Sequence, residues 1–214
     1  MTLSTLSLLS SFRPWHAAVV LLCSSLLPTL AQASNALEVL RATTEALSAE
    51  VEQNRDAIAA DPGAARAVVR KVLTPKLDLE RTSRWVLGKH WRTADDGQKA
   101  RFIQEFRTLL VRTYARAVAE LAGVNVEYLP IKEGGSDKDV TVQTQIPRAG
   151  GAPIGVYYRM YNGTDGWKVY DVAIDGVSLV TTYRSSFSRV VRTDGMEGLI
   201  ARLAEKNRTT GQTS

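Results

Sequence analysis

Ile154-Gly155-Val156-Tyr157-Tyr158-Arg159-Met160-Tyr161, then Asn162-Gly163-Thr164-Asp165-Gly166, then Trp167-Lys168-Val169-Tyr170-Asp171-Val172-Ala173-Ile174: two runs of alternating side chains flank a turn-rich break. A period of two marks a half-buried strand, and the break marks a hairpin. Parity suggests the register. Setting Arg159 opposite Asp171 makes a cross-strand ion pair on the polar face. It also sets Met160 by Tyr170, Tyr158 by Val172 and Val156 by Ile174, so the other face is largely apolar.

Working upstream, Val140, Val142, Thr144 and Ile146 alternate with Thr141, Gln143 and Gln145, and Val124, Val126 and Tyr128 alternate with Asn125 and Glu127. Short Gly-rich breaks at 133–137 and 148–153 separate these runs. The expectation is a four-stranded antiparallel meander over 124–128, 140–146, 154–161 and 167–174.

Before the sheet the period is 3.6. Residues 36–60 repeat apolar side chains every three to four positions, Asp61-Pro62 breaks that run, and 63–73 resumes it. Thr74-Pro75 stops the second helix. A third covers 77–87, with Gly88 as its cap. The strongest element then runs from Asp95, with Gln98 three residues on as in a capping box, to Leu121, with Gly123 just beyond. Phe102, Ile103, Phe106, Leu109, Leu110, Tyr114, Ala117 and Leu121 share one broad face of it. After the Asp175-Gly176 turn the chain returns to helix, interrupted at Asp194-Gly195, and residues 207–214 read as a flexible tail. The order helices, sheet, helices predicts an α+β fold: a curved antiparallel sheet, cystatin/NTF2-like, with helices gathered on one face.

The N-terminus bears on compartment. Residues 1–33 hold one Arg and no Asp, Glu or Lys. An apolar run from Trp15 to Leu27 precedes Ala31-Gln32-Ala33. That is the layout of a secretory signal peptide cleaved after Ala33, and the run is short for a membrane span. The expected mature chain of 181 residues loses Cys23 and His16, keeping no cysteine and one histidine, His90. Its 26 Lys and Arg against 22 Asp and Glu form a small, dispersed positive excess that does not argue for nucleic acid.

The chain as a whole is ordinary in composition, with 214 residues, 44% apolar and 23% charged. In the expected mature chain, one histidine and no cysteine make no zinc site. The sequence has no nucleophile elbow, no Walker loop and no dinucleotide fingerprint. Asp171 and Asp175 could be cast as a carboxylate pair, but Asp175-Gly176 reads as a turn and Asp171 as a strand's polar position. No catalytic residue, metal or cofactor is expected.

Two blocks carry a family resemblance. Trp167-Lys168-Val169-Tyr170-Asp171-Val172-Ala173-Ile174-Asp175-Gly176-Val177-Ser178-Leu179-Val180-Thr181-Thr182-Tyr183-Arg184, continued by Phe187, Val191-Arg192-Thr193, Gly195 and Gly198-Leu199, resembles the signature of the MlaC family. Val86-Leu87-Gly88-Lys89-His90-Trp91-Arg92 with Ala94, Gln98, Phe102, Phe106, Leu110 and Tyr114 is similar to a second block. The resemblance spans roughly 36–206, within a single domain at 34–206. Gly97 departs from the family pattern and weakens the helix start by up to ~1 kcal/mol.

These proteins are periplasmic phospholipid-binding, or toluene-tolerance auxiliary, proteins. The resemblance implies a soluble, non-catalytic carrier, a monomer, holding a glycerophospholipid by its tails in a cavity between sheet and helices. It would pass lipid between an inner-membrane ABC transporter complex and an outer-membrane lipoprotein–porin complex, maintaining outer-membrane lipid asymmetry. The expected lining is Phe106, Leu110 and Tyr114 on the long helix, Val142, Tyr158, Met160, Tyr170, Val172 and Ile174 on the sheet, and Val177 and Leu179 beyond it. Periodicity alone favours these residues closing on one another as an ordinary core, and only the resemblance reverses that preference. Arg84, Lys89 and Arg92, clustered around Gly88, are the candidates for docking on the membrane complexes. The rival readings are a small periplasmic hydrolase or isomerase in an NTF2-like cone, using Asp171, Asp175 or His90, and a lipid-free adaptor.

Overall fold

The computed structural model describes residues 28–131, 136, 138–148 and 150–209, with side chains from residue 35 onward. Residues 1–27 of the expected signal peptide lie outside the described residues, and the cleavage point after Ala33 falls within the first helix. Seven α-helices and five strands are described: α1 (Pro28–Gln53), α2 (Arg55–Ala60), α3 (Pro62–Val72), α4 (Leu79–Leu87), α5 (Lys89–Thr93), α6 (Asp96–Leu121), β1 (Glu127–Tyr128), β2 (Asp139–Ile146), β3 (Ile154–Gly163), β4 (Gly166–Ile174), β5 (Val177–Ser178) and α7 (Leu179–Thr209).

Local chemistry sets most boundaries. Asp61 caps α3 by accepting from Gly63 N, with Pro62 at the first helical position. At α6 the capping box forms in full: Asp95 Oδ1 accepts from Gln98 N at 2.8 Å, and Gln98 Oε1 accepts from Asp95 N at 3.2 Å. Gly88 ends α4 with φ 55°, and Gly195, at φ 70° and ψ −177°, kinks α7 where an interruption was expected. The expected 36–60 helix is instead broken at Asn54, whose amide turns back onto Glu50 O. Its third-helix counterpart starts at Leu79 rather than at 77, because a 3-10 turn, Thr74–Lys76, carries Leu77 into a bridge with Val169.

The sheet is an antiparallel meander in the order β1-β2-β3-β4-β5. It has five strands, not four. Asp175 (φ 48°) and Gly176 (φ 83°) both occupy the left-handed region, as a two-residue type I′ hairpin requires. Their turn therefore folds Val177 back onto Ile174 before α7 begins. The first strand, expected over 124–128, pairs only at Glu127 and Tyr128.

The β3–β4 register agrees with parity at Arg159–Asp171, Tyr158–Val172 and Val156–Ile174. It departs at Met160, which pairs with Val169 rather than Tyr170 across a bulge. The extra residue is Tyr170, and the slip turns Val169 and Trp167 onto the apolar face while Tyr170 leaves it. Without the bulge, two large apolar side chains would stand on the polar face. Tyr170 instead donates its hydroxyl to Asp139 at 3.0 Å, under the Arg81 guanidinium.

The helical tail also differs from expectation. α7 runs through Thr209, and Asn207 is buried, donating to Glu105 O at 2.9 Å. The flexible tail expected from 207 is thus helix over 207–209, and 210–214 lie outside the described residues.

Candidate functional site

Strand β2 buries every second residue: Val140, Val142, Thr144 and Ile146. Val156 and Met160 from β3 and Trp167 and Val169 from β4 are buried on the same sheet face, with Tyr158 and Val172 half-buried beside them. Helix α1 lays Ala36 and Leu40 across this face, and residues of the four elements form one apolar cluster. Toward β5 the face opens: Ile174 is 43% and Val177 62% exposed, an apolar cross-strand pair facing solvent.

A second cluster is helical. Val86 and Leu87 of α4, Phe102, Phe106 and Leu109 of α6, and Val180, Phe187, Leu199, Ile200 and Leu203 of α7 close around each other. Phe106 is the hub of its rings, stacked on Phe102 at 5.5 Å and edge-on to Tyr183 at 5.1 Å and Phe187 at 5.6 Å. A third, small cluster joins α3 to α6 through Val69, Val111 and Ala115. Domains of this size usually form one contiguous core. Here α6 packs on α7, α3, α4 and α1, while the sheet is met mainly by α1, α4, α7 and the 3-10 turn. The long helix and the sheet are not packed broadly on each other.

The expected lining residues divide accordingly. Val142, Tyr158, Met160 and Val172 lie together in the sheet cluster, and Ile174 and Val177 continue its face. Phe106 and Leu110 belong to the helical cluster. Phe106 is fully buried in ring contacts, and Tyr114, half-buried, approaches the Tyr183 hydroxyl at 3.4 Å. Leu179 is half-buried at the start of α7. Tyr170 is the residue the structure removes from this set, since the bulge turns it toward Asp139 on the other face.

The polar groups near the site are few. Burial, with a small push from Tyr128, raises the Tyr158 hydroxyl's pKa, partly offset by Thr144. Tyr183's is raised by burial and by Tyr114. The Trp167 indole N–H is buried in the sheet cluster without a hydrogen-bond partner. A separate cleft of about 780 Å³ opens between the end of α1, α2, α3 and the end of α6. Its rim carries the ion pairs Arg55–Glu52 and Arg116–Glu120, and it contains none of the expected lining residues.

The candidate acids have structural partners. Asp171 is buried, accepts from Ser178 Oγ at 2.7 Å and from Val180 N at 3.1 Å, and so holds the first turn of α7 to β4. Arg159 lies 3.9 Å away but is largely exposed. Asp175 accepts from Gly155 N at 3.0 Å. The His90 pKa is lowered by burial first and then by the charges of Lys89 and Arg192. Among the described residues no group of three His, Cys, Asp or Glu side chains could hold a metal ion, and no helix is long and apolar enough to cross a membrane.

Of the docking candidates, Lys89 and Arg92 are exposed on α5, while Arg84 is tied to Glu80 at 3.1 Å. The sequence reading missed Arg184 and Arg192, which α7 brings alongside. A methyl group at Gly88 would stand 3.0 Å from the Arg184 guanidinium.

The fold is thus an α+β domain whose apolar sheet face and helical core form two separate clusters. Residues 41–205 match the family model described as MlaC protein, and the chain belongs to the MlaC family. Over 170 residues, 78% of this chain and 79% of the relative, it is 26% identical to the Haemophilus influenzae protein named intermembrane phospholipid transport system binding protein MlaC. It is 26% identical over 178 residues, 83% of this chain and 81% of the other, to toluene tolerance protein ttg2D of Pseudomonas putida. A solved phospholipid-binding protein from Ralstonia solanacearum, in complex with a phospholipid, superposes with a TM-score of 0.71 at 28% identity, covering 86% of this chain and 98% of that one.

Proposed function

We propose that the exported chain is a monomeric periplasmic carrier of a glycerophospholipid, which it holds by the acyl tails between the sheet and the α6–α7 helices. The observation that supports this reading is the divided core, in a chain whose fold matches a phospholipid-bound protein. Two tails have on the order of 30 methylenes, and exposing them to water costs on the order of 20 kcal/mol or more at ~0.8 kcal/mol each. A carrier must cover most of that surface without holding lipid more tightly than a membrane does. A wide apolar cleft with few polar anchors meets both demands, and the sheet cluster offers the Tyr128 and Tyr158 hydroxyls and the Trp167 N–H. Tyr158, Val172, Ile174 and Val177 line the sheet side, Leu110 and Tyr114 the helical side, with the sheet curved around the tails in the manner of a cystatin or NTF2-like cone.

Lipid is exchanged with an inner-membrane ABC transporter complex and an outer-membrane lipoprotein–porin complex, in the service of outer-membrane lipid asymmetry. Arg84, Lys89 and Arg92 steer these encounters, since rim charges act on association rates more than on affinity. The carrier itself performs no chemistry and needs no cofactor.

Lipid extraction and native mass spectrometry of protein purified from the periplasm test the reading. The expected result is a bound phospholipid at near-stoichiometric load. Lipid-free protein that cannot be loaded from phospholipid vesicles would leave the adaptor. Turnover of an ester or glycoside panel, lost on Asp171→Asn or His90→Gln, would establish the hydrolase.

A further inference from the structure

Four cations and one indole gather where α4 passes into α5 and meets α7. Trp85 lies on α4, one turn ahead of Gly88, and is 49% exposed although its neighbours Val86 and Leu87 are buried. Lys89 and Arg92 are exposed on α5, and Arg184 and Arg192 are exposed on α7. Arg184 lies against Gly88. Arg192 is close enough to His90 to help Lys89 lower that side chain's pKa. Most other cations of the molecule's helices, such as Arg101, Arg116 and Arg202, pair with a carboxylate. Among the described residues, no carboxylate lies within 4 Å of Lys89, Arg92, Arg184 or Arg192. The nearest acid along α4, Glu80, is taken by Arg84.

A half-wet indole among unpaired ammonium and guanidinium groups has the composition of a bilayer interface. Tryptophan settles at headgroup depth, and basic side chains are drawn to an anionic leaflet. We propose that the α4–α5–α7 face docks reversibly on an anionic lipid surface, with Trp85 entering the headgroup layer and Lys89, Arg92, Arg184 and Arg192 meeting its phosphates. The inference goes beyond the carrier reading and does not depend on it, because the face is separate from the sheet cluster. One aromatic side chain and four cations give weak, salt-sensitive attachment rather than anchoring. Such attachment would hold the protein beside membrane-embedded partners.

The test is cosedimentation of the purified exported protein, as isolated, with phosphatidylcholine vesicles and with vesicles containing one-third phosphatidylglycerol. Binding is expected to the anionic vesicles at low salt, to be lost at high salt, and to be absent from phosphatidylcholine alone. Each cation removed should weaken partitioning about fivefold, from about 1 kcal/mol per basic side chain near such a surface. Lys89→Ala with Arg92→Ala should therefore weaken it about 25-fold on the same scale. Trp85→Ala should weaken it further at unchanged charge. Arg70→Ala with Lys76→Ala removes equal charge from exposed positions elsewhere and should leave binding within about twofold, as a face-specific contact demands. All these side chains are exposed, so melting temperatures should hold. Failure to bind anionic vesicles at low salt would overturn the proposal. So would equal binding to phosphatidylcholine, or equal loss in the two double variants. Bound-lipid content of the wild-type protein, measured on the same preparation, separates this outcome from a failure of the carrier reading, because lipid-free protein that still binds anionic vesicles would overturn only the carrier.

Discussion

A glutamate in place of Val172 distinguishes a closed core from an open cleft. Val172 is half-buried at the border of the sheet cluster, opposite Tyr158. Were the cleft a closed core, the introduced carboxylate would be an unpaired buried charge, destabilising by about 3–5 kcal/mol. For a domain of this size that lowers Tm by about 6–20 °C. In a cleft that water enters once lipid is absent, the carboxylate stays hydrated. Only the packing of the lost valine is then forfeited, about 1 kcal/mol and a few degrees. Val177→Glu is the companion, because Val177 is already 62% exposed and surface substitutions stay within about 0.5 kcal/mol. The assay is thermal melting together with bound phospholipid for both variants. The expected result is two folded proteins, with little or no lipid on Val172→Glu and reduced lipid on Val177→Glu. A Tm loss of about ten degrees or more in Val172→Glu would refute the open cleft. Folded variants with a full load would move the ligand away from β4, with the cleft beside α2 as the next place to look.

Three further outcomes are expected. Asp171→Ala strands the Ser178 hydroxyl and the Val180 N–H at the start of α7 and should lower urea stability by about 3–5 kcal/mol, whereas Arg159→Ala, which removes a largely exposed partner, should lower it by about 0.5 kcal/mol or less. The Tyr170 hydroxyl, raised first by burial and then by Asp139, ionises near 12 instead of 10. The stability it contributes is complete below pH 10 and disappears as pH rises through about 12, so ultraviolet titration of Tyr170→Phe against wild type should lack a tyrosine ionising near that upper value. Intact mass of the periplasmic fraction should match the chain from Ser34 onward, and recovery of residues 1–33 in a membrane pellet would refute export with cleavage.

The sheet was legible because burial on one face imposes a strict period of two, and β2 obeys it at all eight positions. The long helix was legible because its cap, apolar stripe and terminal glycine agree. The bulge was not, since Tyr170 suits either face and nothing local marks an inserted residue. Its signal was indirect: Trp167 and Val169 would otherwise have stood on the polar side. The fifth strand did leave a signal. Asp175-Gly176 is a strong two-residue hairpin dipeptide, but only two residues follow before helix. At the site, strand parity grouped Val142, Tyr158, Met160 and Val172 correctly, while the helical stripe could not say that Phe106 would be enclosed by Tyr183 and Phe187 from a segment far along the chain. Arg184 and Arg192 escaped for the same reason, since only tertiary packing brings α7 beside Gly88.

The separation of the sheet cluster from the α6–α7 cluster has a thermodynamic corollary. On the carrier reading, the acyl chains supply contacts that a single-core domain would obtain from its own side chains, so cargo and stability are linked. A ligand that binds the folded state alone stabilises it by RT ln(1 + [L]/Kd), about 2.7 kcal/mol at a hundredfold excess over Kd. The loaded and empty forms should then differ by about 5–11 °C in Tm, and each delivery would return the molecule to its more protease-sensitive form. Filling level could be followed in a mixed population from its melting curve alone, with no label on protein or lipid.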